Sequence, residues 1–406
     1  MTSAILITFC CLFLLAYIFD LTAGRSRIPS VILLLLTGWL VRHLVSWLHI
    51  QLPELSPLLP VIGTIGLIMI VLEGSLELEL NHQKRSLIMR SFLVALIPMM
   101  LMAGVLTWWF QYQEGGSLRN HLLNVLPLCV ISSAVAIPSV RLFSKTEREF
   151  VTYESSFSDI LGVTFFNFIS INQELTFGAF GYFALDLVFI IAISVVATLL
   201  LSILLSRIGH HVKFVPIMLM VLLIYGITKS LHLPGLIFVM IFGLFVGNFN
   251  KLTRYSWAEY FRPQSLLSEA HRFREITGEG AFLIRASFFI LFGFLIDDKG
   301  LLNVDTLLQS GIVVGVIFSI RAVLLLLTGL SLRPLLFIAP RGLITILLFL
   351  SILPDEKTGS ISQSLLLQVI LLSALIMTLG TLLGSRKHRR TSSIPEPDEN
   401  KSILNP

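Results

Sequence analysis

The chain has 406 residues, of which 55% are apolar and only 13% charged, with a formal net charge of +5. Apolar runs of roughly 18 or more residues recur along it, the length that crosses a hydrocarbon core of about 30 Å at about 1.5 Å per helical residue. This excludes a soluble globular protein, and runs so long and uniform exclude the roughly ten-residue alternation of an outer-membrane barrel, leaving an all-α polytopic membrane protein.

A window of about 19 residues places thirteen spans, near 3–20, 28–47, 59–79, 87–110, 122–143, 149–172, 181–206, 214–230, 234–249, 279–297, 306–330, 334–352 and 362–384. The first, MTSAILITFCCLFLLAYIFD, reads as a span and not as a signal peptide, because it has no basic n-region and no small-residue cleavage site before Asp20. Cys10, Cys11 and Cys129 lie inside apolar segments without metal-site or disulfide spacing, so they read as packing residues.

Lysine and arginine orient the spans. With the N-terminus outside, twenty-one of the 29 basic residues fall on inner loops and the tail, and only Arg42, Arg119, Lys229, Lys299 and Lys357 fall outside. The positive-inside rule then gives N-out and C-in across a plasma or cell inner membrane. The positive charge is a topology signal and calls for no nucleic-acid partner. Arg285, Arg321 and Arg341 remain, all inside spans, where charges pair and mark pathways.

Span 2 and span 9 share a pattern. IPSVILLLLTGWLV at 28–41 and LPGLIFVMIFGLFV at 233–246 align Pro29 with Pro234, Ile32 with Ile237, Gly38 with Gly243 and Val41 with Val246. The two spans run in opposite directions, as in transporters built from inverted repeats. A transmembrane domain over 1–384 is therefore expected, with repeats of about 1–172 and 214–384 joined by a connector helix at 181–206.

Span 5 reads PLCVISSAVAIPSV, with Pro127, the Ser132 and Ser133 pair and Pro138; span 12 opens RPLLFIAPRGLITILL, with Pro340, Arg341 and Gly342 near mid-depth. Proline removes a backbone donor and frees a carbonyl, and such unwound points are tolerated where they line a polar cavity. They occupy equivalent positions in the two halves.

Span 6 carries YESSFSDILGV at 153–163. Asp159 lies about 15 Å in from the inner face, near the midplane, and Glu154 about 7 Å in. Arg321 lies roughly 8 Å from the same face and can pair with Glu154, with Arg285 as a competing partner at similar depth. Burial disfavours a charged carboxylate, so a proton and an alkali cation compete for Asp159. If only the neutralised site crosses the membrane, exchange is obligatory, and neither ATP nor a redox cofactor is needed. Glu73, about 21 Å down span 3, contributes only if that span lines the cavity.

These segments carry a resemblance. RIPSVILLLLTGWLV, IGLIMIVLEGSLELEL, SSAVAIPSV, YESSFSDILGV, FVGN, RASFFILFGFLID and APRGLIT, in this order, are similar to those of the monovalent cation:proton antiporter superfamily, the sodium/proton exchangers. The resemblance implies two crossed discontinuous helices beside a core helix with the ion-binding aspartate, in a bundle that moves against a dimerising scaffold. It implies that Asp159 binds the transported cation, that Glu154 pairs with Arg321, and that Arg341 is the arginine of the second broken helix. Ser158, Ser132 and Ser133 complete the expected ion- and proton-binding set. Ser158 stands where the family has Asn or Asp, and SSAVAIP lacks the Thr-Asp-Pro of many electroneutral relatives.

The expected function is electroneutral exchange of Na⁺ or K⁺ for protons by a homodimer, without enzyme chemistry. A cation channel, or a sensor or scaffold that keeps the fold without transport, are the alternatives. A membrane enzyme would have only His210 and His211 in the loop after span 7, which read as solvated charge. The loop at 250–280 is expected to form an interfacial helix, and the polar tail, 385–406, to be disordered.

Overall fold

The computed structural model describes residues 2–391, apart from 27, 50–53, 79–83, 141–142, 175–176, 209–212, 254–258, 260–262, 297–303 and 331. The pair His210 and His211 lies outside the described residues, as does 392–406. The helices are α1 Thr2–Ser26, α2 Ser30–Trp47, α3 Leu58–Glu77, α4 Arg85–Glu114, α5 Leu118–Cys129, α6 Ser133–Ser139, α7 Lys145–Ile171 and α8 Phe177–Arg207. They continue with α9 Phe214–Ser230, α10 Leu236–Gly247, the short α11 Phe249–Leu252, α12 Pro263–Leu295, α13 Val304–Leu327, the single turn α14 Leu332–Leu335, α15 Leu343–Leu350 and α16 Gln363–Thr391.

Nine stretches of described residues are long and apolar enough to cross a membrane, with α5 and α6 counted as one. The other four predicted spans are the short apolar α9 and α10, the split α14–α15, and α7, whose charged residues lower its hydropathy. The chain is a multi-pass, all-helical membrane protein.

Local sequence sets the ends. Pro29 precedes α2 and Pro57 precedes α3, where a fixed φ and a missing donor cost nothing. Ser144 and Glu147 form a reciprocal capping box that starts α7. Gly115, at φ 71°, ends α4 and returns its amide to the Gln111 carbonyl at 2.8 Å.

Packing sorts the helices into two bodies. In one, α2 and α3 lie on α12, and α3 and α8 lie on α10; in the other, α4 lies on α5, α7 and α13, and α13 lies on α16. The bodies meet where α3 faces α7 and α15. Glycine permits the closest approaches within the first body. A Cβ on Gly38 of α2 would lie 2.8 Å from the Phe294 amide nitrogen of α12, and one on Gly243 of α10 would lie 3.2 Å from the Leu72 carbonyl oxygen of α3.

Two elements differ from expectation. The segment 263–280 is no separate interfacial helix but the first half of the 33-residue α12. Glu269, His271, Arg272, Arg274 and Glu275 lower its hydropathy, yet Leu266, Phe273 and Ala281 recur at helical spacing and are fully buried against the body. At the other end of the chain, α16 runs on past 384 to Thr391.

Candidate ion-binding site

The site is built around two interrupted helices. After α5 ends at Cys129, Val130 and Ser132 are extended, with ψ of 131° and 115°, before α6 begins at Ser133. The second interruption follows α14 and lasts until α15 begins at Leu343. The interruptions touch: the Ser132 amide donates to the Pro340 carbonyl at 2.9 Å. The Ile131 amide donates to the Ser158 hydroxyl at 2.9 Å. Backbone released from the helices is thus satisfied internally, as a membrane interior requires. Gly342 makes the crossing possible, since a Cβ there would lie 2.8 Å from the Ser132 hydroxyl.

Asp159, near the middle of the 27-residue α7, is wholly buried beside this crossing. The Ser133 hydroxyl donates to its Oδ2. Its Oδ1 has no hydrogen-bond partner among the described residues, and neither has the Ser132 hydroxyl. A buried oxygen left unpaired is costly, and the free lone pairs of carboxylate and hydroxyl oxygens are what a hard cation needs.

Helix interruption also leaves carbonyls at the ends of α5 and of the single turn α14. An arginine meets each. Arg341, 1% exposed, donates from Nε to the Leu128 carbonyl at 2.7 Å, from Nη2 to the Cys129 carbonyl at 3.3 Å and from Nη1 to the Ala339 carbonyl at 2.8 Å. Its own amide donates to the Ser373 hydroxyl at 3.1 Å. Arg321 donates from Nε to the Leu335 carbonyl at 3.0 Å while its two Nη atoms fork onto Glu154, at 2.5 and 2.9 Å. Both members of that pair are buried. The N-terminal ends of α6 and α15 are left at the crossing.

A cavity of about 450 Å³ leads to Ser133 from the face that carries Glu77, Lys145, Arg148, Glu149 and Arg274, with Glu73, Tyr153 and Arg285 in its wall. Span 3 therefore does line the cavity. Arg285 belongs to this wall, and Arg321 is the arginine bonded to Glu154. Arg119 lies at the C-terminal end of α7. It bonds the carbonyls of Ser170 and Asn172 at the end of α7, each at 2.8 Å, and pairs with Glu356 at 2.8 Å.

Asp159, Ser133, Ser132 and Ser158 are thus brought together, and Glu154 is brought to Arg321. What sequence reasoning missed is the capping by both arginines and the part played by Ser373. No local signal announces that Arg341 reaches the carbonyls of Leu128 and Cys129, more than 200 residues away.

The model of the transmembrane sodium/hydrogen exchanger family matches residues 10–385. Among curated proteins none matches the chain in sequence. The fold is similar to that of the sodium proton antiporter MjNhaP1 from Methanocaldococcus jannaschii at pH 8, with 18% identity, TM-score 0.67, and 93% of this chain and 100% of that chain covered. An electron-microscopy structure of the same antiporter gives 16% identity, TM-score 0.68, and coverage of 98% and 100%. The match over nearly the whole chain, and the crossing of two interrupted helices beside a buried aspartate, lead to one conclusion: the chain belongs to the family of transmembrane sodium/hydrogen exchangers.

Proposed function

We propose that the protein exchanges an alkali cation, Na⁺ or K⁺, for protons, one for one, by alternating access at Asp159. The observation that carries this reading is the pair of buried, unpartnered oxygens, Asp159 Oδ1 and Ser132 Oγ, at the crossing that the cavity approaches. A cation replaces the missing donors; a proton on Asp159 supplies one itself. Ser133 holds the second carboxylate oxygen, and Ser158 holds the α5–α6 connection in place.

An empty, charged Asp159 is the form least able to cross the hydrocarbon region. Crossing is therefore coupled to occupancy by one ion or the other. The motion is a displacement of the body holding α4–α7 and α13–α16 against the other, along α3. Consistent with that division, Lys84–Glu149, Arg119–Glu356 and Arg321–Glu154 are ion pairs within the first of these, and Arg274–Glu77 and Lys213–Glu269 are pairs within the second.

Inverted repeats over about 1–172 and 214–384, linked by the connector 181–206, account for the packing. Spans 2 and 9 correspond, as do 3 and 10, and α2 lies on α12 as α10 lies on α3, with Gly38 and Gly243 at the approaches. The excess of basic residues orients the N-terminus outside, so the cavity faces the cytoplasm. The protein works as a homodimer; α1 and α8, the least buried of the long spans, are its contact helices.

Reconstituted vesicles with a trapped pH dye test the reading. Addition of Na⁺ or K⁺ should drive proton movement in the wild type and none in Asp159→Asn. Equal rates in the two would overturn it. Absence of flux in the wild type with every alkali cation would favour the sensor, and cation flux that moves no protons would favour the channel.

A further inference from the structure

The approach to Asp159 has the wrong sign of charge for a cation. Lys145, Arg148, Arg274 and Arg285 line the cavity against Glu73, Glu77 and Glu149. Two of those carboxylates are already paired, Glu77 with Arg274 at 3.3 Å and Glu149 with Lys84 at 2.9 Å, and Glu73 has an interaction of its own. Lys145, Arg148 and Arg285 make no side-chain ion pair or hydrogen bond among the described residues.

Each of the three is held at a local cost. Lys145 and Arg148 occupy the first turn of α7, where the helix dipole disfavours cations. Arg285 is only 7% exposed and makes no ion pair among the described residues, the arrangement in which a buried charge is most destabilising. Stability alone would select against all three. A cleft with low-dielectric walls concentrates the field of such charges on the path they line.

We infer that Lys145, Arg148 and Arg285 form an electrostatic barrier that lowers the concentration of cations and protons reaching Asp159 from the cavity side, and so set the apparent affinity on that side. The inference rests on exchange at Asp159. Because Na⁺ and H⁺ carry the same charge, the barrier weakens both alike and leaves their ratio at the carboxylate unchanged. It keeps the site from saturating with internal cation and shifts its working range upward in concentration.

The experiment measures the cation KM in proteoliposomes from each face, across pH, in wild type, Arg285→Gln and the double variant Lys145→Gln/Arg148→Gln. At alkaline pH, where protons do not compete, KM from the cavity face should fall about tenfold in Arg285→Gln and roughly threefold or more in the double variant. At acid pH, where protons compete fully, it should stay near the wild-type value. The pH at which protons inhibit by half should rise by the same factor, about one unit for a tenfold change. KM from the other face should not move. In about 1 M impermeant salt, where the Debye length is about 3 Å, the difference in the exposed pair Lys145 and Arg148 should largely vanish, and that of the buried Arg285 should shrink less. The double variant should melt no lower than the wild type.

Unchanged KM on the cavity face, or a shift in Na⁺ affinity without the matching proton shift, would overturn the barrier. If Arg285→Gln fails to fold, the double variant decides. Loss of flux in Asp159→Asn beside unshifted charge variants would sink the barrier and leave the exchange reading intact. Flux that persists in Asp159→Asn would sink the exchange reading itself.

Discussion

Arg341 donates its Nε hydrogen to the carbonyl of Leu128 at 2.7 Å, so the second interrupted helix caps the first. Three carbonyl groups depend on this one guanidinium. Arg341→Met keeps much of the length and removes every donor, and buried acceptors without donors cost about 1–3 kcal/mol each. The purified variant should melt well below the wild type, and Arg341→Lys should recover part of the loss. Equal melting temperatures for wild type and Arg341→Met would refute the capping role.

Glu154 and Arg321 should show unequal single-variant losses. Removing either partner strands a buried charge, at about 3–5 kcal/mol. Arg321→Met also removes the Nε donor at 3.0 Å from the Leu335 carbonyl, which keeps only the Ile338 amide at 3.2 Å, and so should cost more than Glu154→Gln. The double variant should recover part of the summed loss, and the coupling energy is read from a double-mutant cycle of thermal or denaturant stability. Additive losses would contradict the forked geometry.

Electroneutral exchange predicts insensitivity to voltage. Ser158 stands directly before Asp159 and holds no charge. A potential of 100 mV is worth about 2.3 kcal/mol per net charge moved. With ion gradients balanced, such a potential should drive no proton flux in vesicles. A potential-driven flux that disappears in Asp159→Asn would demand a second titrating group, and Glu73 in the cavity wall would be the first to substitute.

Glycine substitutions should separate the packed seams from the lipid-facing surface. Gly38→Val and Gly243→Val each place side-chain atoms where main chain of the neighbouring helix already lies. Both should reduce folded yield and melting temperature sharply. Gly104→Ala, in mid-α4 with nothing within 4 Å of the added Cβ, should be neutral or raise stability by about 0.5–1 kcal/mol. A destabilised Gly104→Ala beside a tolerant Gly38→Val would overturn this map of the seams.

Much of this architecture is legible in one dimension because a membrane enforces local rules. Span length follows from hydrocarbon thickness, and Pro127, Pro138 and Pro340 flag the two interrupted helices, although Pro98 lies inside the continuous α4. Asp159 stands out because an acid is costly at mid-span. Hydropathy fails where amphipathic character replaces it: α7 is too polar for the window, and the first half of α12 looks like a loop because its apolar face is narrow. The arginine caps were invisible for another reason. Which carbonyl Arg341 serves is decided by how two distant helices cross, and nothing near residue 341 encodes residue 128.

The dependence of α5 and α7 on distant partners has a consequence during synthesis. Glu154 and the carbonyl end of α5 are completed by Arg321 and Arg341 respectively, and Arg119, which bonds the end of α7, by Glu356. At about 5–20 residues per second on the ribosome, the N-terminal half waits roughly ten to forty seconds with these groups unsatisfied. Chains that stop before residue 321 therefore leave an uncompensated carboxylate among inserted helices. They present the quality-control proteases of the membrane with a ready mark of incompleteness.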